Sequence, residues 1–281
     1  MKRSTKIALF TAITFIILGC LFSAAALFAI EFDFTKLDTS DFVTNTYTVE
    51  EGFTNISVDI DTCDVEFVLS PDNTCKVVCD ETKKLSYEIL VKNDTLSISL
   101  IDGRDWFDFI GFSFDSTEMF VYLPAVVYNS LSIDSSTGDI SVPKDFSFES
   151  VKITCSTSDI DFRGKVNNDL SIKTDTGDIK IIDSDASTIN VSVSTGDVDI
   201  KDVTCENITV KSSTGDVTLT ESDANMINIK SSTGDVWCSL LSGKVFTVKT
   251  STGDRSVPAD TMGQGTCHIT TSTGDIKVIV K

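Results

Sequence analysis

Three sets of side chains in this sequence have types and spacings that could do chemistry. The first is a series of aspartates, Asp139, Asp159, Asp178, Asp197, Asp216, Asp235, Asp254 and Asp275, mostly 19 residues apart. If they stack in a column about 4.8 Å apart, neighbouring charges repel by roughly 0.9 kcal/mol even at the dielectric of water. Two arrangements would offset that. Each carboxylate could cap backbone N–H groups in its own corner, as Asp does in turns. Alternatively, Asp178, Asp197, Asp216, Asp235 and Asp254 could hold Ca²⁺ between layers as oxygen ligands. The second set is a lysine column, Lys173, Lys211, Lys230 and Lys249, with a serine column two residues on, Ser194, Ser213, Ser232 and Ser251. Lys211, Lys230 and Lys249 beside those hydroxyls could bind an acidic glycan. The plainer reading is a solvated face whose lysines balance nearby acids. The third set is Trp106-Phe107-Asp108-Phe109-Ile110-Gly111-Phe112-Ser113-Phe114. It reads as a plug over an open end, or as a patch that meets a partner or the membrane through Trp106, Phe109 and Phe112.

No nucleophile–base constellation accompanies these sets. The single histidine, His268, stands alone at an outward position. There is no phosphate loop, His-rich metal motif or redox pair, and no enzyme is expected. The enzyme class to weigh is the solenoid polysaccharide lyase, which needs a groove built by long loops, with Asp, Ca²⁺ and a basic group. The spacing here leaves little material for a cleft, and Arg255, which interrupts an apolar column, is the one candidate base. Of the eight cysteines, Cys238 and Cys267 fall in apolar columns and read as small core residues. Cys75 and Cys79 are spaced for neither a zinc ribbon nor a redox pair, and a disulfide among Cys63, Cys75 and Cys79 stays open.

The elements that must position these groups follow from the repeat. Thr-Gly-Asp occurs seven times, with its glycine at Gly138, Gly177, Gly196, Gly215, Gly234, Gly253 and Gly274. These glycines are the structural turns. Around them run apolar columns, such as Ile172, Val191, Val210 and Ile229 five residues before the glycine, and Ile179, Val198, Val217 and Val236 two residues after it. Alternation with period two marks strands with one buried face, and the phase change across Gly-Asp marks a corner. Thr62-Cys63-Asp64 and Thr157-Ser158-Asp159 are weaker copies. About 19 residues are too few for a β-α unit, which needs about 30. The sequence therefore predicts an all-β, parallel β-solenoid of about eight or nine coils, a rod of roughly 40 Å. Its expected interior has apolar ladders on the strands, Thr at the corner, and Ala186, Cys205, Ala224 and Gly243 at a second corner.

The formal charge of −19 argues against nucleic-acid binding, which needs a basic footprint. Residues 1–6 are a short basic end, and residues 7–30 form an uncharged apolar run long enough for one transmembrane helix. Lys2, Arg3 and Lys6 before it, with Glu31 and Asp33 after it, put the amino terminus in the cytoplasm and the solenoid outside. A cleavage site at Ala24-Ala25-Ala26 and a lipoprotein outline at Ile17-Leu18-Gly19-Cys20 are the alternatives. Residues 31–50 read as an acidic spacer. Residues 51–130 read as an irregular first part of the solenoid with the aromatic insertion at 104–115, and Asn93-Asp94 as a hairpin turn within it. Residues 131–281 form the regular part.

The arrangement resembles a family of bacterial surface domains of unknown function, labelled candidate adhesins, with a β-strand repeat. The features that carry it are the basic end and single anchor, then Asn55-Ile56-Ser57-Val58 leading to Asp64-Val65. Tyr122-Leu123-Pro124 before the first regular coil and the Ser-Ser-Thr-Gly-Asp-Val rungs complete it. The resemblance covers roughly residues 50–281 and implies a β-solenoid. Some relatives take part in envelope stress responses of Gram-positive bacteria. The expected function is a membrane-anchored, non-catalytic surface-binding module, whose partner is an envelope protein or a glycan. The alternatives are a self-assembling scaffold and a glycan-active enzyme.

Overall fold

The computed structural model describes residues 3–29, 42–104, 117–260 and 265–281. One helix and 23 strands account for the regular structure among them. Helix α1 is Arg3–Ala29. Leu9, Phe10, Ile13, Phe15, Ile16, Leu21 and Phe22 are all exposed on it, so its surface is apolar on every side. Among the described residues no helix is long and apolar enough to cross a membrane. Helix and strands belong to separate compact units.

The strands form a wound stack. The early ones are β1 (Val43–Val49), β2 (Asn55–Thr62), β3 (Asp64–Leu69), β4 (Cys75–Glu81), β5 (Leu85–Lys92), β6 (Thr95–Asp102) and β7 (Glu118–Leu123). Then come β8 (Val127–Thr137), β9 (Ile140–Val142), β10 (Ser147–Thr157), β11 (Ile160–Phe162), β12 (Lys165–Val166), β13 (Asp169–Thr176), β14 (Ile179–Ile182), β15 (Thr188–Thr195) and β16 (Val198–Lys201). The last are β17 (Thr204–Thr214), β18 (Val217–Lys230), β19 (Val236–Leu240), β20 (Val245–Thr252), β21 (Arg255–Ser256), β22 (Thr266–Thr273) and β23 (Ile276–Val280). Strands before the Gly-Asp corner pair in parallel as β6–β2–β8–β10–β13–β15–β17–β18–β22–β20. Strands after it pair in parallel as β7–β3–β9–β11–β14–β16–β18–β19–β23–β21. β18 serves both sheets, through Val217–Thr220 on one and Asp223–Lys230 on the other. All seven motif corners and both weaker copies take their place in one stack, and β6–β7 adds a rung that carries no motif.

Two features depart from the linear order of the repeats. The coil β2–β3 comes first in sequence but lies between β6–β7 and β8–β9. The coil β22–β23 comes last but lies between β18–β19 and β20–β21. Both ends of the repeat are thus paired on both sides. The expected spacer is also shorter than 31–50, because β1 already pairs with β4 from Val43 onward.

Register explains the columns. Ile172 pairs with Val191, Val191 with Val210, and Val210 with Ile229, each fully or almost fully buried. One face of each strand fills the interior and the other meets solvent. At the proximal end the interior is aromatic, with Tyr128, Phe146 and Phe148 in contact at centroid distances of 6.0 and 6.5 Å, and Phe67 edge-on to Phe146 at 6.3 Å. The second corner is small, with Ala186 and Ala224 buried. At the first corner the expectation is corrected. The motif threonines Thr137, Thr176, Thr195 and Thr214 are exposed. The buried corner residue is two positions earlier, at Ser135, Thr174, Ser212, Ser231 and Thr271. The chain needs inward alternation up to that point, so the motif Thr falls outside. The hairpin at Asn93-Asp94 does form, both residues having positive φ (50° and 63°), as a tight two-residue turn between antiparallel β5 and β6 requires.

Candidate functional site

The Thr-Gly-Asp corner forms a continuous hydrogen-bonded ladder along the stack. The Gly196 amide donates forward to the Thr214 carbonyl at 3.0 Å, and the Val198 amide to the Asp216 carbonyl at 2.9 Å. The amide between them points back, where no backbone carbonyl meets it. There the Asp197 N–H donates to Asp178 Oδ1 at 2.8 Å. The pattern runs from Asp64 through Asp139, Asp159, Asp178, Asp197, Asp216 and Asp235 to Asp275 and Asp254, at 2.7–3.0 Å. Each carboxylate except that of Asp254 therefore caps the next coil, not its own corner as expected. The reason is reach: coils about 4.8 Å apart put the neighbour's amide at the end of an Asp side chain. The glycine is steric. At Gly215 φ is +128°, and a Cβ would lie 2.0 Å from the Gly196 carbonyl oxygen.

This ladder bears on the proposed cation column. Calcium at Asp178, Asp197, Asp216 and Asp235 would compete for oxygens that already accept backbone hydrogen bonds, and Asp275 stacks between Asp235 and Asp254. Among the described residues, no three or more His, Cys, Asp or Glu side chains are grouped to hold a metal ion.

The lysine column is interrupted. Paired positions run Thr154, Lys173, Ser192, Lys211, Lys230, Thr270, Lys249. Only Lys211 and Lys230 are direct neighbours, and the inserted coil β22–β23 separates Lys249 from them. Trp106, Phe109 and Phe112 lie outside the described residues. Arg255 is in β21, and no coil among the described residues stacks beyond it.

Three arrangements escape a reading of the sequence columns. A groove of about 330 Å³ on the second sheet is lined by Asp64, Glu66, Glu118, Phe120, Asp139, Asp159, Asp161, Asp178 and Lys180. It lies at the opposite end of the ladder from Arg255, so carboxylates and that base do not meet. Next, Glu81 is 5% exposed and joins three strands. It accepts from the Asn45 amide group and, at 2.8 Å, from the Tyr47 hydroxyl on β1, and at 2.6 Å from the Tyr87 N–H on β5. Burial and the Glu81 carboxylate push the Tyr47 hydroxyl up to about 12. The inward phase of Cys75, Val77, Cys79 and Glu81 on β4 was the available signal. Last, Lys244 is 2% exposed and its Nζ lies 2.6 Å from Asp223 Oδ1 and 2.6 Å from Ser242 Oγ. Nothing in the local pattern marks Lys244 as inward.

The cysteines do not form disulfides, and all but Cys20 and Cys205 are buried. Burial pushes Cys63 up to about 11 and Cys75, Cys79, Cys205 and Cys267 up to about 12. These thiols stay protonated and inert near neutrality.

The fold has solved relatives. One is a candidate adhesin from Bacteroides fragilis, 15% identical, with a TM-score of 0.50 over 86% of this chain and 98% of that one. A candidate adhesin from Parabacteroides distasonis is 13% identical, with a TM-score of 0.54 over 85% and 98%. A candidate lipid-binding protein from the same organism is 14% identical, with a TM-score of 0.52 over 83% and 97%. No curated protein matches the sequence. At these identities the likeness is one of fold. The family model described as Toastrack DUF4097 matches residues 53–188 and 163–281, so with its wound, Gly-Asp-cornered stack the chain belongs to the Toastrack DUF4097 family.

Proposed function

We propose that this protein is a membrane-anchored, extracytoplasmic β-solenoid that acts as a non-catalytic binding module at the cell surface. The observation that carries the reading is the outer ridge of the stack. Nine coils present a corner Thr and Asp in register beside a mixed outer face of Ser, Thr, Lys and Asn, on a scaffold whose corner amides are hydrogen-bonded from rung to rung. Such a surface offers a long, regular row of hydroxyls and carboxylates at the spacing of the coils. An envelope glycan or an envelope protein is the partner class, and nucleic acid is disfavoured by the charge of −19. Solved relatives described as candidate adhesins and a candidate lipid-binding protein fit the same reading.

Anchoring rests on residues 7–30. A helix with apolar side chains on every face suits lipid on every face, and the basic residues before it orient the solenoid outward. Envelope stress is the setting that the family resemblance suggests. The test is protease treatment of intact cells expressing the full chain with a carboxy-terminal epitope. Loss of the epitope without permeabilisation is expected. An epitope that survives until the membrane is opened would overturn the extracytoplasmic assignment.

A further inference from the structure

The distal end of the stack is a sheet edge, and an exposed edge is a template for another strand. Among the described residues, β20 pairs with β22 alone and β21 with β23 alone. Along a strand, alternate residues direct both backbone polar groups to the same side. Phe246 and Val248 direct theirs to the open side of β20, and one group of each is met by a side chain. Arg255 Nη1 donates to the Val248 carbonyl at 3.0 Å. The Phe246 N–H donates to Asp260 Oδ1 at 2.9 Å. Between these two contacts Phe246, Val248 and Val257 are only half-buried, around a concavity of about 340 Å³ that Arg255, Pro258 and Asp260 also line.

Arg255 is informative because of where it stands. The same column holds Val217, Val236 and Ile276 in the neighbouring coils, all buried. A valine there would complete an apolar edge like that of every interior coil. An arginine leaves a charge that must be desolvated before another strand can stack on it, and it already occupies a carbonyl that strand would need. Pro258, in the same stretch, brings no N–H to a ladder.

We propose that Arg255 and Asp260 are edge guards, which close the distal coil against strand addition by a second copy of this chain. The second copy is the fitting occupant because the same edge, turned about a two-fold axis, pairs β20 with β20 and sets apolar Phe246 and Val248 against themselves. The proximal end does not offer a matching rung, since it finishes in the antiparallel strands β1 and β5.

The experiment is sedimentation of the full chain in detergent micelles, comparing wild type, the double variant R255V/D260S, and the triple variant R255V/D260S/V248P. Val248 directs its N–H outward, so proline there blocks pairing at the edge and spares the bonds to β22. The double variant is expected to self-associate with an apparent dissociation constant lowered by about tenfold or more, and the triple variant to return to the wild-type state. A double variant that melts like wild type and associates no more than it does would overturn the proposal. So would association that the proline does not remove, or wild-type association that V248P alone abolishes. Should R255V/D260S not fold, R255Q, which removes the charge and the guanidinium but keeps a polar side chain, is read in the same way, with a weaker association than the double variant's as its expected result.

Discussion

At the proximal end of the solenoid the last parallel rung is covered by backbone, and at the distal end by side chains. Proximally, β4 runs antiparallel to β7 and β1 antiparallel to β4, while β5 turns back on β6. Glu81 then ties β1, β4 and β5 together through three donors. Distally there is no reversed strand among the described residues, and Arg255 and Asp260 take the edge groups of β20. Near it, a buried ion pair joins Lys244, one residue before β20, to Asp223 of β18. The lesson is that a repeat has two separate problems at its ends, an open apolar core and an open hydrogen-bond ladder. Reversed strands solve both together, whereas charged side chains take one edge N–H and one edge carbonyl and leave Phe246, Val248 and Val257 half-covered.

That contrast can be broken most forcefully at the glycines. Gly215→Ala puts a Cβ 2.0 Å from the Gly196 carbonyl, with coils fixed on both sides. It is expected to cost about 4 kcal/mol or more, as a shift in urea midpoint followed by circular dichroism. Gly253→Ala makes a similar clash with Gly274, but the terminal coil can yield outward, so about half that loss is expected. Equal losses would mean the distal coil is as rigid as the centre.

The two buried carboxylates come next. Glu81→Ala strands three donors proximally and is expected to cost about 3 kcal/mol. Lys244→Met leaves Asp223 buried without its cation and is expected to cost about 3–5 kcal/mol, whereas K244M with D223L should recover most of that loss, less the Ala224 N–H that Asp223 Oδ1 accepts at 2.8 Å. Proteolysis of the 241–260 stretch should rise in K244M and not in the double variant. If it does not rise, the pair does not hold the distal coil.

The ladder gives a smaller and cleaner comparison. Asp216→Ala removes the acceptor of the Asp235 amide and should cost about 1–2 kcal/mol. Asp254 ends the series, and among the described residues no further rung's amide reaches its carboxylate, so Asp254→Ala should change the melting midpoint little. A large effect at Asp254 would show that something stacks beyond it.

The last comparison is alkaline. Cys63, Cys75 and Cys79 are concentrated proximally with folded values of about 11 to 12, raised above those of an unfolded thiol by burial. Their contribution is intact below the unfolded value near 8.5, and is lost as pH rises toward 11–12. Hydrogen exchange at about pH 10 should therefore loosen the proximal end before the central coils. Loosening that begins in the centre would contradict it.

Much of the architecture was legible because the corner acts locally. Gly215 is required where the chain turns and neighbouring coils touch, and Val217 and Leu219 alternate inward after it. The repeat also exposed Arg255 as the residue out of column. The site was less legible. That Asp197 caps the chain through its neighbour depends on the distance between coils, which no single repeat contains. The lysine column looked continuous in sequence because Lys230 and Lys249 are 19 residues apart, yet Thr270 lies between them in space.

The sequence by itself determined the coil: its period, its inward faces, its glycine corner and the need for something at the carboxylate column. Short-range sterics and alternation suffice for that, and they act within one repeat. Only the tertiary structure decided which coil stacks on which. Every coil with the same columns fits the same rung, so the local pattern is indifferent to order. The placement of β2–β3 and β22–β23 inside their neighbours is made by pairings between strands far apart in sequence, β2 with β8 at one end and β22 with β18 at the other.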